Sequence, residues 1–166
     1  MGEFVIHALS VGDGIVAIAP MPGSSGDYAA DLEHMGEWAP AFVISMTTRL
    51  EMVADGVEGL GAEMQKRGAR WIHLPVGDFG VPEGEVARAW PEVSERTRAA
   101  LRGGGRVLIH CKGGCGRSGM VALRLMVESG EKPEAALQRL RAVRPCAVET
   151  EAQMQWATEP EADQAH

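Results

Sequence analysis

Short apolar runs alternate along this chain with longer stretches in which apolar residues recur every three or four positions. The runs at residues 4–9 and 14–19, parted by the turn signal Gly12-Asp13-Gly14, predict strands. Further short strands are predicted at 41–45, 70–76 and 106–110. Helical character is found at 28–38, at 57–67 with Gly68 as a stop, at 85–102 and at 120–127. Pro91 should kink or divide the helix at 85–102. Pro133 suits the first turn of a further helix, with Leu137, Leu140 and Val143 along one of its faces. A last helix starts near Thr150 and fades after Thr158. Strands alternating with helices predict an α/β fold, a central, mostly parallel sheet flanked by helices. No repeat or linker interrupts it, so residues 1–158 read as a single domain and 159–166 as an acidic, disordered tail.

Composition narrows the function classes. Hydrophobic residues at 45% and charged residues at 23% of the 166 are ordinary globular values, which argue against a disordered chain. A net charge of −7 disfavours nucleic acid and anionic membranes as partners. Three cysteines, two of them in one loop, are too few for a disulfide framework and suit a reducing compartment. No signal peptide is apparent, Ile6 stands where a myristoylation motif needs Ser or Thr, and no apolar run has membrane-spanning length. The expectation is a soluble, cytoplasmic monomer without stable membrane association.

The chemistry is concentrated in His110-Cys111-Lys112-Gly113-Gly114-Cys115-Gly116-Arg117-Ser118-Gly119. A strand precedes this loop and a helix comes after it, which is an anion-binding geometry: loop N–H groups converge and the helix N-terminus adds partial positive charge. A cysteine at its mouth is favoured as the thiolate, and a thiolate inside a phosphate cradle implies attack on phosphorus. Cys111 is thus the expected nucleophile. The planar fork of Arg117 would hold two phosphate oxygens, and the amides of Lys112, Gly113, Gly114, Cys115, Gly116 and Arg117 would stabilise transition-state charge. Ser118 would donate to the sulfur as it leaves. The glycines at 113, 114 and 116 would let the backbone turn inward and adopt positive φ. Three other readings fail. A phosphate-binding Gly-x4-Gly-Lys-Ser/Thr loop lacks its lysine, and a zinc site at His110, Cys111 and Cys115 lacks a second ligand pair. An inert core cysteine would not need the surrounding glycines and arginine. No metal or other cofactor is implied.

His-Cys-x5-Arg-Ser resembles the signature of the cysteine-dependent protein tyrosine phosphatase superfamily, and the Gly-Gly loop ending in Gly-Arg-Ser looks most like its compact dual-specificity branch. The resemblance spans roughly the whole domain and is best defined between residues 70 and 155. It implies a protein tyrosine phosphatase-like fold and a phosphoprotein substrate attacked through a phosphocysteine. It also implies a general acid on a mobile upstream loop, for which Asp78 is the choice and Glu83 and Glu85 the reserves. Gln153, rather than Gln155, matches the glutamine that positions water, although Pro145-Cys146 departs from the glycine expected after the proline. His110 would shape the loop and support the thiolate. Cys115 is a possible redox partner for Cys111. Dual-specificity action is the leading reading. Lys112 keeps a phosphoinositide or inositol phosphate phosphatase open, and a phosphate-binding module without turnover is the third alternative.

Overall fold

The computed structural model describes residues 2–159. Five strands form one sheet: β1 (His7–Val11), β2 (Gly14–Ala19), β3 (Phe42–Ser45), β4 (Arg70–His73) and β5 (Arg106–His110), in the order β1-β2-β5-β3-β4. Only β1 runs antiparallel to its neighbour; the pairs β2–β5, β5–β3 and β3–β4 are parallel. β1 begins three residues later than the apolar run predicts. His7 pairs with Ile18, but one step beyond Ala19 stands Pro20, which has no N–H to donate. Phe4 is buried against the sheet without joining it.

Among the described residues seven helices cover the sheet: α1 (Tyr28–Glu37), α2 (Arg49–Ala54), α3 (Leu60–Lys66), α4 (Gly84–Arg102), α5 (Gly116–Glu128), α6 (Pro133–Val143) and α7 (Glu151–Thr158). Period-two alternation along the strands divides their side chains between two cores. Ile18, Phe42, Ile44, Val107 and Ile109 face α4, α5, α6 and α7, whereas Ala19, Val43 and Leu108 face α1, α2 and α3. α4 covers the predicted helix at 85–102, and Pro91 does not divide it. The proline forfeits one backbone bond, and burial of Trp90, Val93 and Leu101 along one stripe offsets that loss. The tail predicted after residue 158 lies, from residue 160, outside the described residues. Among the described residues no helix is long and apolar enough to cross a membrane.

Topology places the chemistry. Parallel β3, β5 and β4 all end on the same edge, where open α/β sheets carry their sites. The end of β5 delivers the glycine loop, the end of β3 delivers α2, and the end of β4 delivers the Asp78 loop.

Candidate active site

Cys111 comes directly after β5, is 2% exposed and is a free thiol. Its Sγ lies 3.2 Å from Ser118 Oγ. The helix after the loop opens earlier than expected, at Gly116, so Arg117 and Ser118 sit in the first turn of α5 and its N-terminal N–H groups join the cradle. Of the three glycines, only Gly114 has positive φ (+73°), and a Cβ there would lie 2.7 Å from the Ala19 backbone. Gly116 is needed for space: a Cβ would meet the Glu149 carboxylate. Gly113 has an ordinary φ and open surroundings.

Arg117 is the largest fully buried side chain, and its chief partner is one that sequence reasoning missed. Nη1 and Nη2 donate to the two carboxylate oxygens of Glu51 at 2.7 and 2.9 Å, a bidentate pair that fixes the guanidinium plane. Nη1 also donates to the Val76 carbonyl at 2.8 Å. Of the five N–H donors of an arginine, Nε–H and the second Nη2–H therefore remain to grip an oxyanion. Burial opposes the guanidinium charge, but Glu51, Cys111 and Asp78 outweigh it and raise the pKa of Arg117. For Glu51, burial pushes the carboxyl up, yet the bonds from Arg117 and Thr48 hold it at about 2. Glu51 belongs to α2, a helix that the hydrophobic pattern does not reveal. Its signature is nevertheless present: Thr48-x-x-Glu51 is a capping box, with both reciprocal bonds formed.

Asp78 reaches the site from the β4 end. Its Oδ1 lies 3.6 Å from Arg117 Nη2 and accepts the Phe79 N–H, and its side chain is 57% exposed. Phe79 adopts φ +63°, a strained conformation for an aromatic residue, on the loop that presents the carboxyl. Glu83 and Glu85 are instead exposed at the start of α4. The structure holds this loop from two sides, by Arg117 at Val76 O and by Gln153 at Gly80 O.

Gln153 is fully buried. Its Oε1 accepts from the Glu149 and Thr150 N–H groups, and its Nε2 donates 3.1 Å to Gly80 O. The amide thus caps α7 and braces the Asp78 loop in the arrangement described. Gln155 is exposed on α7.

His110 is completely buried between two partners. Nδ1 faces the Cys111 carbonyl at 3.2 Å, and Nε2 faces Ser45 Oγ at 2.6 Å, while Ser45 Oγ accepts from Trp71 Nε1 at 2.8 Å. A carbonyl can only accept, so Nδ1 carries the proton and Ser45 donates to Nε2. Burial lowers the pKa of His110 to about 4, which keeps the ring neutral and consistent with that tautomer. The histidine supports the loop from behind, through the backbone of Cys111.

Lys112 Nζ pairs with Asp55, and the lysine lines two cavities of about 310 and 480 Å³, the larger of them lined also by Gly113 of the glycine loop. One expectation changes. Cys115 is bonded to Cys146, with their Cα atoms 5.2 Å apart, so it is not a free thiol partner for Cys111. A count of cysteines argues against a disulfide framework, and the 31 residues of sequence separation conceal this pair.

Comparison with known proteins agrees with this geometry. The family model for the dual specificity phosphatase catalytic domain matches residues 42–162. Mouse cyclin-dependent kinase inhibitor 3 is 32% identical over 115 residues, covering 69% of this chain and 53% of that protein. The chain therefore spans about half the length of the curated relatives it matches. Among solved structures, kinase associated phosphatase with its catalytic site cysteine replaced by serine superposes with a TM-score of 0.86 at 25% identity, covering 100% of this chain and 99% of that one. The active form of Tk-PTP gives 0.70 at 30% identity, covering 91% and 92%. With the matched region containing Glu51, Asp78, the whole glycine loop and Gln153, this chain belongs to the dual specificity phosphatase catalytic domain family.

Proposed function

We propose that the chain is a cysteine-dependent phosphatase that hydrolyses phosphotyrosine, and phosphoserine or phosphothreonine, in proteins. The observation that supports this most is a buried Cys111 Sγ with Ser118 Oγ 3.2 Å away, in a loop whose arginine is clamped by Glu51 and bordered by Asp78. Cys111 Sγ attacks phosphorus as the thiolate, and the bond to the leaving oxygen breaks. Loop amides and the two remaining Arg117 donors take up charge on the equatorial oxygens. Asp78 donates its proton to the departing alkoxide or phenoxide. In the second step water attacks the phosphocysteine, Asp78 accepts its proton, and Ser118 donates to the departing sulfur. Gln153 serves this step by holding the Asp78 loop in place through one Nε2–H, its oxygen being occupied by two backbone donors.

Lys112 favours a second reading, because a cation next to the nucleophile suits inositol phosphates or phosphoinositides. Its pairing with Asp55 weighs against that reading. The test is hydrolysis of para-nitrophenyl phosphate with chelator, by wild type, Cys111→Ser and Asp78→Asn whose Cys115–Cys146 bond is intact, then phosphopeptide and phosphoinositide panels. Turnover lost in Cys111→Ser and strongly reduced in Asp78→Asn is expected, with phosphopeptides preferred. Turnover that persists without the Cys111 thiol would overturn the mechanism. Preference for phosphoinositides would select the second reading, and phosphate binding without turnover would leave a binding module.

A further inference from the structure

A loop that turns its N–H groups inward must turn its carbonyls outward, and in this chain one segment meets three of them. Arg144 donates through Nε to Gly114 O and through Nη2 to Gly113 O, both at 3.0 Å. Val148 N donates to Cys115 O at 3.3 Å. All three contacts come from the connection between α6 and α7, and the Cys115–Cys146 bond fastens the same connection to the middle of the loop. The close fit continues into α5, where a Cβ on Gly119 would lie 2.7 Å from Val148 N. The connection is itself taut. Val148 is held at φ +69°, and Arg141 donates to both the Ala147 and Val148 carbonyls. It leads into Gln153, which braces the Asp78 loop. Without this backing, Gly113 and Gly114 would leave the cradle the most conformationally permissive stretch of the site.

We infer that Cys115 and Cys146 are positioning residues: their cross-link holds the phosphate cradle in its binding geometry, so that phosphate affinity and turnover require this pair oxidised while Cys111 stays a thiol. The inference rests on the hydrolase reading for turnover, but not for phosphate binding. Opening the cross-link consumes two electrons and two protons. A dithiol reductant is oxidised to its own disulfide, the S–S bond breaks, and Cys115 and Cys146 each gain S–H. Phosphate affinity then falls because the loop amides no longer hold their mutual alignment, the kind of small misplacement to which such sites are steeply sensitive.

The test compares three preparations at a temperature where all are folded: oxidised wild type, wild type reduced by a dithiol, and Cys115→Ala/Cys146→Ala. Thiols are counted after unfolding without reductant, and inorganic phosphate is the probe, as a competitive inhibitor and by calorimetry. Oxidised wild type should show one thiol, Cys111. Reduction should weaken phosphate binding by about tenfold and lower kcat. Reoxidation with oxidised glutathione, with phosphate covering Cys111, should restore both. The double variant should match the reduced protein and ignore reductant. Three thiols in oxidised protein, or equal phosphate affinity before and after reduction, would overturn the inference. Should the double variant fail to fold, the reduction and reoxidation of wild type decide it alone. Should para-nitrophenyl phosphate not be turned over at all, the hydrolase reading fails, while calorimetry with phosphate still decides the role of the cross-link.

Discussion

At Gly114, backbone angle and neighbouring atoms each exclude a side chain: φ is +73°, and the Ala19 and Pro20 backbones stand 2.7 and 2.8 Å from any Cβ. Gly114→Ala should therefore cost roughly 2–4 kcal/mol of stability by denaturant unfolding and lower kcat/KM more than about 100-fold. Gly113, with open surroundings, should tolerate the same change far better. Glu51 is the other residue on which the cradle turns. Glu51→Gln keeps the shape but leaves one acceptor oxygen where Arg117 uses two, so kcat/KM should fall roughly 10- to 100-fold with the fold intact. An unchanged value would mean that Arg117 is held well enough by the Val76 carbonyl. The grouping of Cys111, Arg117 and Ser118 is legible in the sequence because they are close along the chain, on one tight loop. Glu51 is not, since it meets Arg117 across 66 positions and only the fold brings them together.

Elements are legible in proportion to their length and periodicity. β5, α6 and the start of α7 fall where the apolar pattern and the end signals put them, while α2, six residues long, has too few turns to show a stripe. Its capping box is the readable signal. Pro91 does not divide α4, because tertiary burial overrides a local penalty. The Asp78 loop lies between β4 and α4 as the sequence predicts, but its bracing by Gln153 depends on a contact 73 residues away. Gln153→Ala removes that contact and the cap of α7 together. It should cost about 1 kcal/mol of stability. It should also slow phosphate esters with poor leaving groups more than para-nitrophenyl phosphate, since only the former depend heavily on a well-placed acid. A uniform loss across leaving groups, with phosphoenzyme accumulating, would mean that Gln153 acts on water instead.

Across the whole molecule, the site is built from the ends of three adjoining parallel strands, so its integrity is tied to that of the sheet. The pH dependence of stability should show this. His110 has a pKa of about 4 in the folded chain against 6.5 as the reference, so between those values the unfolded chain binds a proton that the folded one does not. Stability should therefore fall as pH drops from 6.5, by on the order of 3 kcal/mol once pH is below about 4. Glu51 acts in the same sense at lower pH: its depressed pKa contributes stability above about 4.5 that is lost as pH falls toward 2. Urea unfolding at pH 7 and pH 5 should show the first loss, and His110→Asn, which cannot titrate there, should flatten it.

The hydrogen-bonded chain from the Trp71 indole through Ser45 and His110 to the Cys111 carbonyl also has an optical meaning. An indole whose N–H is fixed to one acceptor, with the His73 ring stacked 5.2 Å away, senses small changes in that acceptor's polarity. Filling the loop with phosphate should therefore shift the emission of Trp71, seen as the difference between titrations of wild type and Trp71→Phe, since Trp38, Trp90 and Trp156 emit as well. The indole would then serve as a built-in optical gauge of anion arrival at the glycine loop.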